Sequence, residues 1–484
     1  MSAALIIIAV TILGVLCLGL FARYGKDMDL EQWTVGGRGF GSILVFVLMA
    51  GEIYTTFTFI GGSGFAYGHG APVFYILCYG CLAYVLSYWM LPPIWRYAKQ
   101  YRLIAQPDFF SHKYNSPALG VLVALVGIVA LIPYLVLQLK GLGIIVDAAA
   151  YGAISSTTAI WIGAAVITAY VMVSGVHGSA WTAVVKDTMI LGVLLFLGIY
   201  LPFHYYGGYG GMFTAINAAK PGFLVLPPTG ESPAWFVSTV LLTALGFYMW
   251  PHTFGSLFTA KEEKAFRRNA ATLPVYQLVM LLAFFVGFAA ILQVPGLKGS
   301  EIDLSLLRLS VKTFDPWFVG VIGAAGVLTA LVPGSMILMA AATLLANNIY
   351  RTFRPQATDA TIARLARLMV PVVAVASVYF TLQGGATVVA LLLMGYSFVT
   401  QLFPPLVASL LPNNPVTKEG AFAGICVGVA TVAATSLTHT SIATLFPTLP
   451  EAVRDLNIGT VALVLNLATL SVVSAVTRRR AAFA

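Results

Sequence analysis

Apolar residues in this chain come in long runs, and polar residues gather in short gaps between them. A helix needs about 20 apolar residues to cross a bilayer. Runs of that length lie near 3–22, 41–67, 72–95, 117–148, 158–176, 180–203, 235–258, 271–293, 316–349, 363–382, 386–410, 419–438 and 457–476. They lack the period-two alternation of a membrane barrel and are too long for its strands. Helices satisfy their own backbone polar groups in lipid. The pattern therefore predicts an all-α polytopic membrane protein of about 13 transmembrane helices.

Composition agrees. The chain has 484 residues, 59% apolar and 9% charged, against roughly a quarter charged in a soluble domain. It is too apolar for disorder. The 26 basic and 17 acidic side chains leave a net charge of +9, which invites a nucleic-acid partner until the positions are examined. No basic residue precedes the first run, whereas Arg23 and Lys26 follow it. This predicts an uncleaved first span with the N-terminus outside and the C-terminus in the cytoplasm. On that topology the cytoplasmic segments hold most of the basic residues, from Arg23 through Lys186 to Arg478, Arg479 and Arg480. The outer segments hold Lys220, Lys298, Arg308, Lys312 and Arg454, and Lys140 falls inside the fourth run. The bias is a topology signal facing anionic lipid, and no nucleic-acid module is expected.

Catalytic signatures are missing: H-E-x-x-H, G-x-S-x-G and a phosphate loop do not occur. Cys78 and Cys81 lie within an apolar run without a second pair, so they read as core residues. No catalytic residue and no organic cofactor is expected.

Two runs are interrupted. The second carries Gly51-Glu52 and then Gly61-Gly62, and the seventh carries Gly246 and Trp250-Pro251-His252. They stand five runs apart. Paired interruptions in corresponding positions of two halves point to a transporter site. Five spans per half require the halves to have opposite orientation. The organisation predicted is a 5+5 inverted repeat, with 41–204 as first repeat and 235–411 as second. An extra helix and loop (1–40) precede it and two helices (412–484) follow. A helix broken in mid-membrane frees carbonyl and N–H groups that can bind ions.

Few ionisable residues fall inside the runs: Glu52, Lys140 and the pair Lys186-Asp187. Glu52 lies roughly 16 Å into its run at 1.5 Å per residue, near the bilayer midplane. Its bland reading is a structural pair with Lys140; that of Lys140 is snorkelling, and that of Asp187 an interfacial charge.

The chain resembles the solute:sodium symporters, most closely their bacterial monocarboxylate permease branch. The resemblance rests on Glu52-Ile-Tyr-Thr-Thr-Phe-Thr-Phe-Ile60, Ile132-Pro-Tyr-Leu-Val-Leu-Gln138-Leu-Lys-Gly141 and Val185-Lys-Asp187-Thr188. It continues in Pro251-His-Thr253, Arg267 to Tyr276, Ala330-Leu-Val-Pro333, Asn348-Ile-Tyr350-Arg351 and Gln401-Leu-Phe-Pro404. It implies a bacterial cytoplasmic-membrane protein that imports solute by alternating access with a coupling cation. It implies sodium ligation by the Ala50 and Ile53 carbonyls, with Glu52 and Asp187 in support. It implies solute contacts at Trp250, His252 and Gln401.

One departure concerns the ion. The family's adjacent hydroxyl pair on span nine falls at Val332 and Pro333, neither of which can ligate a cation through its side chain. Thr329 and Ser335 are nearby substitutes, and Pro333 frees the Thr329 carbonyl. Sodium and proton therefore both stand as coupling ions, the latter on Glu52, Lys140, Asp187 and His252. For the solute, a small organic anion such as lactate, pyruvate, acetate or propionate fits Tyr54, Thr55, Thr56, Tyr134, Gln138, Lys140, Trp250 and His252 as donors and aromatic walls. Another small solute (pantothenate or an amino acid) or a cation-independent channel are the alternatives. A sensor would require a fused signalling domain, which is not expected after Arg480. A monomer is the simplest assembly.

Overall fold

The computed structural model describes residues 3–483; the side chains of Arg479 and Arg480 lie outside the described residues. Helix follows helix. Among the described residues the β pairing is one isolated bridge, Phe40 with Ala260.

The principal helices are α1 (Ala3–Ala22), α2 (Ser42–Gly51), α3 (Gly62–His69), α4 (Tyr75–Gln100), α5 (Pro117–Ala149) and α6 (Ser156–Tyr206). Then come α7 (Pro233–Gly246), α8 (Pro251–Phe258), α9 (Lys264–Gln277), α10 (Met280–Gln293), α11 (Pro316–Thr343) and α12 (Asp359–Gln383). The last are α13 (Val388–Val399), α14 (Phe403–Leu410), α15 (Lys418–Leu437) and α16 (Ile458–Phe483). Among the described residues ten segments are long and apolar enough to cross a membrane. The pair α7 and α8, bent by 49°, makes an eleventh.

The 51 residues of α6 carry two of the predicted runs. At 1.5 Å per residue they amount to roughly 75 Å of helix, enough for two crossings of a bilayer core. Helix α6 turns at Gly175, whose φ of 53° and ψ of −150° are non-helical. A Cβ there would lie 2.6 Å from the Trp33 carbonyl oxygen, so the turn requires glycine. The remaining predicted run is split into α2 and α3, joined by the π-helical turn Phe57–Gly61.

Loop contacts report the topology. Loops after odd-numbered runs meet one another: Arg102 pairs with Glu31, Arg96 with Glu263, and Lys99 donates to the Lys261 carbonyl. Loops after even-numbered runs meet at the opposite end, where His69 pairs with Glu231. The first group bears most of the basic residues and is called the basic end below.

At the centre is α11, almost wholly buried, packed on α1, α5, α6 and α12. At the periphery α15 packs on α16 through Gly420, Gly424 and Gly428. Added Cβ atoms at these glycines would strike Ser474, Asn466, Leu470 and Gln401. Small residues every fourth position let helix backbones approach closely in lipid.

Candidate functional site

Both interrupted runs are broken in the structure, and the breaks face each other. The first lies between α2 and the Phe57–Gly61 turn. The Ala50 carbonyl accepts the N–H groups of Ile53 (3.0 Å) and Tyr54 (3.3 Å), and the Ile53 carbonyl accepts those of Thr55 (2.9 Å) and the Thr58 hydroxyl (2.5 Å). In the second break Trp250 is extended (φ −69°, ψ 133°) and Pro251 starts α8. Proline has no N–H to give, and its fixed φ suits a first helical position. The Ser256 hydroxyl of α8 donates to the Glu52 carboxylate and thereby joins the two breaks.

An aromatic cluster fills the space between them. The Tyr134 ring of α5 lies 4.8 Å from Trp250 and 5.3 Å from His252, and Trp250 lies 5.3 Å from Tyr396 of α13. Tyr79 of α4 adds a ring 5.7 Å from Tyr396. The Tyr134 hydroxyl reaches the Glu52 carbonyl at 3.5 Å. The segments that carry this cluster and the breaks also hold buried polar atoms with no hydrogen-bond partner among the described residues: Thr56 Oγ1, His252 Nδ1, and both amide atoms of Gln138. Gln138 is four residues beyond Tyr134 on the same face of α5 and is fully buried. Unpaired buried polar groups are costly, so a set of them beside a break is where a polar ligand repays the cost.

Other expected contacts are committed elsewhere. The Tyr54 hydroxyl donates to the Tyr276 carbonyl, and Thr55 Oγ1 accepts the Phe57 N–H at 3.1 Å. Gln401 bonds the carbonyls of Ser397 and Gly459 and accepts from Asn466, so it joins α13 to α16. Lys140 neither snorkels nor meets Glu52. Its ammonium pairs with Asp303 at 3.3 Å and donates to the Ala386 carbonyl. Asp303 also accepts the Val388 N–H at 3.0 Å. Lys140 thus fastens the end of the bundle opposite the basic end. Burial pushes the Asp303 carboxyl up to about 6, while Lys140, the Val388 N–H and His69 pull it down.

Thr329 donates to the Gly326 carbonyl, and Ser335 donates to the Val332 carbonyl and bonds Ser179 at 2.7 Å. Asp187 is buried rather than interfacial, and Lys186, counted above with the loop charges, is completely buried. The Lys186 ammonium lies 2.6 Å from the Gly51 carbonyl, 2.8 Å from the Tyr54 carbonyl and 2.9 Å from the Asp187 carboxylate. Two of its N–H groups thus meet carbonyl acceptors, and Asp187 adds an ion pair, although neither of its carboxylate oxygens accepts a hydrogen bond among the described residues.

Access differs at the two ends. At the basic end a cavity of ≈ 830 Å³ is lined by Glu31, Arg102, Ile104, Asp108, Asn348 and Arg351. Burial pushes the Asp108 carboxyl up, against the Ile104 and Ala105 N–H groups, Asn348 and Arg351. A narrow fissure also lined by Ile104 continues to Pro251 and His252. At the other end a cavity of ≈ 630 Å³ is lined by His69, Glu231, Ile302 and Thr387, and Ile302 is the chain neighbour of Asp303.

Tyr79, Tyr396, Ser256, Asp303 and the Lys186 contacts were not among the expected site residues. Lys186 beside Asp187 was the one sequence signal that pointed toward them.

Residues 33–428 match the model of the sodium:solute symporter family. The chain is 65% identical over 479 residues, 99% of its length and 98% of the relative's, to "Uncharacterized symporter YhjB" of Bacillus subtilis (strain 168). It is 29% identical to the "Monocarboxylate transport permease protein" of Rhizobium johnstonii, covering 87% of this chain and 85% of that one. It is 23% identical to a "Sodium/proline symporter" of Haemophilus influenzae, covering 89% and 87%. Among solved structures, a Na+-coupled sialic acid symporter in a substrate-bound outward-open state superposes with a TM-score of 0.77 at 14% identity, covering 98% of each chain. That likeness supports the inverted-repeat fold.

Proposed function

This chain belongs to the sodium:solute symporter family, and from that premise we propose that it imports a small monocarboxylate, of the lactate, pyruvate, acetate or propionate type, by alternating access with a coupling cation. One observation carries the reading. The N-terminus of α8 carries Trp250 and His252 of the aromatic cluster, and His252 Nδ1 there is buried without a hydrogen-bond partner among the described residues, as are Thr56 Oγ1 on the facing break and the Gln138 amide on the helix of Tyr134. First-turn N–H groups lack intrahelical acceptors and carry partial positive charge, which favours a carboxylate. Tyr134, Trp250 and Tyr396 then offer apolar walls to a short hydrocarbon tail. The 29% identity to a monocarboxylate permease supports the same solute class.

The protein sits in the bacterial cytoplasmic membrane, with the basic end and C-terminus inside and the N-terminus outside. Repeats 41–204 and 235–411 hinge at the facing breaks. The Lys140–Asp303 fastening closes the outer path in this conformation, and the fissure at His252 leads inward.

Uptake of radiolabelled lactate, pyruvate, acetate and propionate into proteoliposomes tests the solute, with proline and pantothenate as competitors. Gradient-driven accumulation of a carboxylate that proline does not inhibit is expected. Accumulation of proline with indifference to every carboxylate would overturn the solute class. Equilibration without accumulation under any imposed gradient would overturn coupling.

A further inference from the structure

Resting on the symporter reading, we infer that the ammonium of Lys186 is the resident cation at the break between α2 and the Phe57–Gly61 turn, and that sodium does not bind between this break and α11.

The donor set carries the argument. A sodium ion held here would need oxygen ligands from the break and from span nine. The Ala50 carbonyl already accepts two N–H groups, and the Ile53 carbonyl accepts an N–H and the Thr58 hydroxyl. Across from them Val332 and Pro333 present no side-chain oxygen. The Thr329 and Ser335 hydroxyl protons go to the Gly326 and Val332 carbonyls, and Ser335 is also held by Ser179 at 2.7 Å, away from Lys186. Gly51 and Tyr54 carry the carbonyls that point at a cation, and Lys186 meets both.

The ammonium is also well lodged. Lys186 is 0% exposed. Its charge is balanced by Asp187 on its own helix, and Glu52 is the acid facing it from the break. Tyr54 and Tyr276, from the break and α9, are the remaining titratable groups beside the pair. An ammonium tethered to α6 holds the break in register with that helix, and a free cation close to it meets like-charge repulsion.

The test reads the ion apart from the solute. Purified protein is assayed for saturable binding of radioactive sodium, and for its unfolding midpoint in sodium, potassium and choline chloride. No saturable sodium binding and one common midpoint are expected. Saturable binding, or a midpoint raised by sodium alone, would overturn the inference. Lys186→Ser leaves Asp187 and both carbonyls facing a gap. It is expected to lose at least tenfold in uptake and to gain saturable sodium binding. A Lys186→Ser protein that transports as wild type in choline buffer would equally overturn the inference. Should Lys186→Ser not fold, the wild-type binding measurement still decides. Neither ion measurement involves a carboxylate, so failure of the whole carboxylate panel would count against the solute reading alone.

Discussion

Ser256 donates its hydroxyl to the carboxylate of Glu52, joining two residues 204 positions apart, one at each helix break. Both are buried, Ser256 completely. The bond ties the break after α2 to helix α8 in the interior of the bundle.

Losing it should be costly for transport. A hydrogen bond to a charged group is worth about 1.5–3 kcal/mol, and 1.4 kcal/mol is tenfold in an equilibrium constant. Ser256→Ala is therefore expected to lower uptake by roughly tenfold or more while leaving the protein monodisperse in detergent. Glu52→Gln should lower it at least as far, since it also removes the charge facing Lys186. Initial uptake rates, normalised to protein in the membrane, check both. Wild-type rates in Ser256→Ala would mean that the bond is incidental.

The Lys140–Asp303 ion pair should be lost in acid, whereas the buried carboxyl itself is most at home when protonated. The Asp303 carboxyl sits at about 6, raised from 3.8 chiefly by burial. It is ionised above that value, so the ion pair holds at pH 7 and is lost as pH falls through about 6. The folding balance runs the other way. The folded carboxyl keeps its proton up to about 6 whereas an unfolded one releases it near 3.8. Its contribution to stability is thus full below 3.8 and fades as pH rises through about 6. An opening of segment 299–304 that solvates Asp303 releases its proton, so exchange of that segment should be slower at pH 5 than at pH 7 after correction for the intrinsic rate, and Asp303→Asn should abolish that pH dependence. An unchanged difference in Asp303→Asn would assign the opening to another group.

Gly175 is predicted to admit no side chain. Its φ of 53° with ψ of −150° is a glycine conformation, and a Cβ would press on the Trp33 carbonyl and ring. Backbone strain of this kind costs about 1–3 kcal/mol before the clash is counted. Gly175→Ala should lower the unfolding midpoint and the membrane yield. Gly192→Ala, on the same helix with open space around it, should change neither. Equal midpoints for the two variants would show that α6 can turn without glycine.

Spans and breaks were legible in the sequence because bilayer crossing and helix interruption are local properties. Run length and Gly/Pro placement suffice for them. Partners across the fold were not. Lys186 stands near the start of the sixth apolar run, which made it look like a loop charge. The chain turns at Gly175, and the segment of α6 beyond it packs on α2, which brings Lys186 to carbonyls about 130 residues earlier in the chain. Asp303 lies in a loop between runs, and only the tertiary fold brings it to Lys140. Gln401 has the chemistry of a solute contact, but its amide meets Asn466 and Gly459 on a helix outside the repeat.

Gln138 offers the sharpest separation of function from stability. Its amide is fully buried with neither atom hydrogen-bonded among the described residues. A buried unsatisfied polar group costs about 1–3 kcal/mol, and an apolar group of similar shape removes that cost. Gln138→Leu should therefore keep or raise the unfolding midpoint, in contrast to most substitutions of a buried residue. Uptake should fall at least tenfold, because a carboxylate entering the site would face a side chain with no donor. Added substrate should raise the midpoint of the wild type and leave that of Gln138→Leu unmoved, since only a bound solute stabilises the folded state. A lower midpoint with full uptake would make Gln138 a packing residue. The solute would then have to be held by Thr56, His252 and the N-terminus of α8 without it.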